Sequence, residues 1–227
     1  MKLHALKIWF VPVLLITVGV FVLPAQEIVT AERYLELVSD RYSTIRDYEA
    51  RLAIRSGTTN MYGTLSYLTP AFLRIDFTTP SGQVVVFDGE LLTVYLPEYK
   101  AILGQGVTNA GRRSGVSQGL VLLRRNYIPT FVTGPDPVPL EAGSGERVVK
   151  LRLTRRSVAE GFRELILSID PGSKLIRRIE GRTIAEVQVQ FDFSQVAINQ
   201  GIPERRFLYD APATANLYNN FLFRDDD

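Results

Sequence analysis

Asp76 and Asp88 are the nearest thing in this sequence to a pair that could do chemistry. Two carboxylates can divide general-acid and general-base work without histidine, as in the glycosidases. Each also has a simpler role. Asp88 opens an Asp88-Gly89 hairpin turn, and Asp76 alternates with apolar neighbours as an exposed strand residue does. The residue types for other mechanisms are missing. His4 is the only histidine, Trp9 the only tryptophan, and there is no cysteine. Past the first residues there is nothing to build a Ser-His or Cys-His nucleophile, a His- or Cys-ligated zinc or iron site, or a disulfide. The expectation is a binding protein rather than an enzyme, with no catalytic residue, metal or cofactor.

Residues 1–25 read as a secretory signal. Lys2 and Lys7 precede an apolar run from Ile8 to Leu23, interrupted by Pro12 and Gly19, and Leu23-Pro24-Ala25 precedes Gln26. Cleavage after Ala25 is expected, with an uncleaved anchor as the alternative, which leaves residues 26–227 as one domain. Without Lys2 and Lys7, the 26 basic residues fall to 24 against 24 acids, a formal charge of zero. That balance speaks against a nucleic-acid partner. Arg doublets at 112–113, 124–125, 155–156, 177–178 and 205–206 are expected on solvated faces and turn ends.

The elements that must position any site are mostly strands. One amphipathic helix is expected over 30–46, capped by Thr30, with Tyr34, Val38, Tyr42 and Ile45 in a stripe. Period-two alternation then takes over: Tyr48–Ile54, Met61–Leu68, Phe72–Phe77, Gln83–Phe87 and Leu91–Leu96. Residues 104–115 read as a Gly-rich loop, Ser117–Arg125 as a short helix, and 128–145 as an irregular crossing rich in proline. Strands resume around Val149–Leu153 and Leu165–Ile169, then Leu175–Gly181 and Ile184–Phe193. Phe207 and Tyr209 are expected to close the sheet. A long antiparallel sheet curls as it twists, and its concave apolar face needs a cover. The expected fold is mostly β (α+β), a curled antiparallel sheet covered by sparse helices; alternation by itself is met equally by a close-packed core and by an enclosed apolar cavity.

One stretch carries a resemblance. Gly63-Thr64-Leu65-Ser66-Tyr67-Leu68-Thr69-Pro70 leads into Phe72–Phe77, Pro80, Val84–Gly89 and Val94-Tyr95-Leu96-Pro97. This ordered series resembles the LolA family of periplasmic lipoprotein carriers. The likeness is strongest over residues 63–97 and looser across about 45–212. It implies an incomplete antiparallel β-barrel under a helical lid with an apolar cavity inside, in a periplasmic carrier that shields the acyl chains of lipoproteins there. Its implied partners are acylated lipoproteins, an inner-membrane ABC-type release complex and an outer-membrane acceptor, and the carrier is expected to be a monomer. The implied cavity lining is Leu65, Tyr67, Leu73, Ile75, Phe77, Val84, Val86, Val94, Val187, Val189 and Phe191, with Tyr34, Val38, Leu120 and Leu123 in the lid. Thr69 departs from the family pattern, in which an arginine before the first Pro bonds to the lid. Lid closure must therefore use other contacts. An envelope regulatory domain of related fold, sensing lipid or lipoprotein, is the rival reading.

Overall fold

The computed structural model describes residues 29–106 and 116–221. The expected signal segment lies outside the described residues, as does Arg112-Arg113. The described chain begins with helix α1 (Ala31–Ser43). Strands β1 (Asp47–Ser56), β2 (Thr59–Leu68), β3 (Phe72–Thr79), β4 (Val84–Phe87), β5 (Leu91–Leu96) and β6 (Ala101–Gly106) follow. Helix α2 (Val116–Asn126) runs directly into β7 (Tyr127–Phe131). Then come β8 (Val138–Pro139), β9 (Arg147–Arg155), β10 (Phe162–Ile169), β11 (Ile176–Thr183), β12 (Gln188–Ile198) and β13 (Asn216–Asn219).

These strands form one sheet in the order β13-β6-β5-β4-β3-β2-β1-β12-β11-β10-β9-β7, with β8 paired beside β9. The edge strands β13 and β7 do not pair, so the curled sheet stays open. Neighbours are antiparallel except for β13, which runs parallel to β6. Register places one apolar row across the sheet. Tyr48 faces Tyr67, Tyr67 faces Leu73, Leu52 faces Phe193, Ile179 faces Phe191, and Leu167 lies between Leu151 and Ile179. A one-residue slip would turn each of these outward, so burial of this face fixes the register.

Helix α1 lies on that apolar face. Thr30 caps it by accepting the Arg33 amide at 3.2 Å, and Glu32 stands in its first turn, where a negative charge suits the helix dipole. Leu35 and Val38 are fully buried with Leu151, Leu153, Leu167 and Ile169. Each such side chain contributes roughly 1.5–3 kcal/mol of apolar burial. This half of the sheet is solid.

The other face is covered by irregular chain. Arg178, almost fully buried, pairs with Asp192 on β12 and Glu141, and Arg177 pairs with Glu146. Together they hold residues 138–146 against β11. Farther along the sheet, residues 203–209 form a strap. Arg74 donates to the Arg206 and Leu208 carbonyls at 3.1 and 3.0 Å, and Arg206 pairs with Asp76. Phe207 is fully buried with its ring 5.6 Å from that of Phe72. The doublets thus supply pinning ion pairs from Arg124, Arg177, Arg178 and Arg206, rather than solvated faces alone.

Several boundaries differ from the sequence expectation. Residues 101–106 form β6, although Gly104 and Gly106 read as loop; a glycine strand position carries little hydrophobic pattern. Residues 127–131 form β7 despite Pro129, which an edge strand tolerates. The strand expected from Ile184 begins at Gln188, because residues 184–187 make the turn out of β11. Phe207 and Tyr209 belong to the strap, and β13 takes the sheet edge instead.

Candidate functional site

Beneath the last turn of α1 the packing opens. A hollow of about 150 Å³ is lined by Tyr42, Ile45, Tyr48, Leu65, Tyr67, Leu73, Ile176, Ile179 and Phe193. Tyr42 and Ile45 bring the lid side, β1–β3 one wall, and β11 with β12 the other. Backbone turns at Thr44 before the helix can extend over β2 and β3, so only its end covers this region. A ligand pocket typically measures about 300–1,000 Å³. The hollow is therefore a seed that must widen by lid movement before it could take a hydrocarbon chain.

Few polar contacts fasten the lid. The Tyr42 hydroxyl accepts the Ile176 amide at 3.0 Å, and Arg41 Nε donates to the Ser173 carbonyl at 3.3 Å. Both partners belong to the β10–β11 hairpin. That hairpin is rigid because Asp170 accepts the Ser173 amide and hydroxyl at 2.6 and 2.7 Å. Thr69 touches the lid exit only through its backbone, donating its amide to Arg46 at 2.8 Å. The fastening sits on the far wall from the loop where the resemblance placed it. Burial pushes the Tyr42 hydroxyl up to about 12, against the opposing hydrogen bond from Ile176. Tyr48 is raised by burial as well.

Of the expected lining, Leu65, Tyr67 and Leu73 reach the hollow. Ile75, Phe77, Val94 and Phe191 share its face of the sheet by register. Val84 and Val86 do not: they pair with Asp76 and Arg74 and are buried on the opposite face, the one the strap covers. Uniform Val-Val-Val at 84–86 hides the alternation that would have revealed this. Val187 lies in the turn before β12, and with Val189 it borders a separate cleft of about 780 Å³. Arg55, Arg152 and Arg182 line that cleft opposite Glu164, Glu180 and Glu186. Among the lid residues, Tyr34 and Val38 pack into the solid core, Leu120 is buried there too, and Leu123 packs against its edge. Tyr42 and Ile45 belonged to the same helical stripe and Phe193 to the same strand face as Phe191. Which of them borders empty space is not a property of periodicity.

The two carboxylates do not form a dyad on the hollow. Asp88 accepts the Glu90 and Leu91 amides at 2.9 and 2.8 Å, as a turn residue does. Asp76 lies on the opposite face between Arg74 and Arg206. Burial would raise its carboxyl, but hydrogen bonds and charge from both arginines outweigh this and hold it below the usual range.

Comparison with known protein families matches residues 55–210 to the family described as outer membrane lipoprotein carrier protein LolA. The chain belongs to the LolA family. The matched span holds the sheet from the end of β1 to the strap and leaves α1 and β13 outside. An outer-membrane lipoprotein carrier protein of Dechloromonas aromatica is 27% identical over 155 residues, 68% of this chain and 70% of that one. Among solved structures, an uncharacterized conserved protein from Thermus thermophilus aligns with a TM-score of 0.54 at 14% identity, covering 81% of this chain and 98% of that one. A chain of the Pseudomonas aeruginosa MucA/MucB complex aligns at 0.51 and 15% identity, covering 83% of this chain and 63% of that one. Both likenesses bear on the fold alone. Each shares its overall fold with this LolA-family member.

Proposed function

We propose that this LolA-family chain is a periplasmic, non-enzymatic carrier. It takes lipoprotein acyl chains into the hollow beneath α1 and ferries them from the inner membrane towards the outer membrane. The observation that carries this reading is the hollow itself, lined only by aliphatic and aromatic side chains and closed by the end of one helix. Energetics favour it. Acyl chains cost about 0.8 kcal/mol per exposed methylene, so a multiply acylated protein needs an escort through water. Two lid hydrogen bonds are worth about 0.5–1.5 kcal/mol each. Burying about four methylenes offsets both. Leu35 and Val38 keep the rest of α1 seated in the core, so only its Tyr42–Ile45 end need shift to admit cargo. Leu65, Tyr67 and Leu73 would line the entrance, with Ile75, Phe77, Val94 and Phe191 receiving chains once the lid has moved. An ABC-type release complex in the inner membrane would supply the cargo, and an outer-membrane acceptor would take it.

The test is purification from the periplasm followed by lipid and protein analysis of what co-elutes, with lipoprotein release from spheroplasts as the activity. Bound lipoprotein and active release support the carrier. A ligand-free protein without release activity would overturn it, and recovery of a signalling protein instead would favour the regulatory reading.

A further inference from the structure

We propose that the outward side of α2, with the loop that follows β9, is a docking surface for an anionic phospholipid bilayer. Helix α2 is apolar on two sides. Leu120 and Leu123 face the core, whereas Val121 and Leu122 are 47% and 42% exposed. Arg125 follows one turn later on the same outward stripe, and Ile128, 46% exposed, comes next as the chain enters β7. The loop after β9 is pinned beside this point. The Arg156 amide donates to the Asn126 carbonyl at 2.8 Å, and the Tyr127 hydroxyl donates to the Phe162 carbonyl at 3.2 Å. That loop presents Val158 at 82% exposure.

The charge here has one sign in excess. Arg124 is balanced by Glu36 at 3.3 Å, and Glu160 is the acid whose charge reaches Tyr127. Arg125, Arg155 and Arg156 have no carboxylate partner among the described residues. Aliphatic side chains standing out on a helix and a loop tip, bordered by arginines, suit the headgroup–acyl boundary, where the apolar tips enter and the guanidiniums stay with phosphate. A protein hot spot would instead seat its aromatic and arginine anchors in a well-packed pocket, whereas these aliphatic tips stand out from a helix and a loop. Because α2 packs on α1, a bilayer contact here would place the lid helix close to the membrane surface. The inference does not depend on what the hollow holds.

The experiment is sedimentation of the full chain with vesicles of phosphatidylethanolamine and phosphatidylglycerol, against vesicles of phosphatidylcholine. One variant carries Val121→Asp and Leu122→Asp, the other Arg125→Glu and Arg156→Glu. All proteins share the same N-terminus, whose apolar run enters both kinds of vesicle, so the quantity compared is the excess binding to anionic over phosphatidylcholine vesicles at limiting lipid. Excess binding to the anionic vesicles is expected to fall at least about tenfold in each variant, since each arginine near such a surface is worth roughly fivefold and each inserted aliphatic side chain at least as much. Added salt should weaken the parent in the same way. Unchanged circular dichroism is expected, because these side chains are exposed. If the aspartate variant disturbs the fold, the charge-reversal variant decides. Equal binding by parent and charge-reversal variant, no preference for phosphatidylglycerol, or no vesicle binding would each overturn the proposal.

Discussion

The Tyr42 hydroxyl accepts the Ile176 amide at 3.0 Å, joining the last turn of α1 to the start of β11 across 134 residues of sequence. The same tyrosine lines the hollow, so the residue that cargo would press on is also the residue that fastens the lid. Tyr42→Phe keeps the ring and strands the amide. The expected cost is about 1–3 kcal/mol, the penalty for an unsatisfied buried donor. Hydrogen exchange at Ile176 should rise while the distant β9–β10 amides keep their protection. Unchanged exchange at Ile176 would remove this contact as the fastening.

Leu73 borders the hollow from β3. A glutamate there puts a charge into an apolar wall, and its desolvation should block uptake of acyl chains. Leu73→Glu is expected to lose lipoprotein release while retaining the β-rich circular dichroism spectrum. Full release activity would take Leu73 out of the binding surface.

Burial lifts Tyr34 and Tyr42 to about 12 from the ordinary 10.0, with the charge of Asp170 adding at Tyr34. A folded value above the unfolded one means that the neutral form is favoured in the fold. Their contribution is complete below about pH 10 and lost as the pH rises through about 12. Denaturation midpoints should hold up to about pH 10 and fall steeply above it, in step with late phenolate absorbance. A midpoint that stays flat through about pH 12 would contradict this.

Asp76 shows the opposite sign. Its carboxyl is held below 3.8 in the fold, so its contribution is present above that value and lost as the pH falls through the folded value. The carboxylate and Arg206 are each about one-third exposed, at 32% and 33%, so solvent screening limits the contribution to about 1 kcal/mol. Asp76→Asn should loosen the strap at Leu208, read by amide exchange, and its deficit against the parent should vanish in acid. A deficit that persists unchanged at low pH would contradict the ion-pair account.

Gly63 sits where β2 and β3 shift register, and a Cβ there would lie 2.5 Å from the Asp76 carbonyl oxygen. Gly63→Ala should cost about 1–3 kcal/mol, as overpacking does. Gly106→Ala is the control, since a Cβ at that position meets nothing within 4 Å. Equal melting temperatures for the two variants would refute the steric reading.

The fold class was legible because alternation and turn chemistry are local. Asp88-Gly89 and Asp170-Pro171-Gly172-Ser173 mark their hairpins, and both acids accept backbone amides as such turns require. Strand β6 was hidden by its glycines and the start of β12 by Ile184 and Val187, apolar residues that the structure uses in a turn. The candidate site was half legible. Leu65, Tyr67 and Leu73 follow from the alternation of β2 and β3, but nothing in the run of valines at 84–86 marks which face each one takes.

By itself the sequence determined that this is a β-rich chain with no histidine or cysteine beyond its first residues to support catalysis, and with the ordered motif of a LolA-family member. Only the tertiary structure decided where the apolar face is filled and where a small hollow is left. Leu35 and Val38 meet β9 and β10 and close one half, while α1 ends before β2 and β3 and leaves the other half to Tyr42 and Ile45. Hydrophobic patterning specifies that a side chain leaves water, but whether it then meets another side chain depends on the length of the covering helix and the curl of the sheet beneath it.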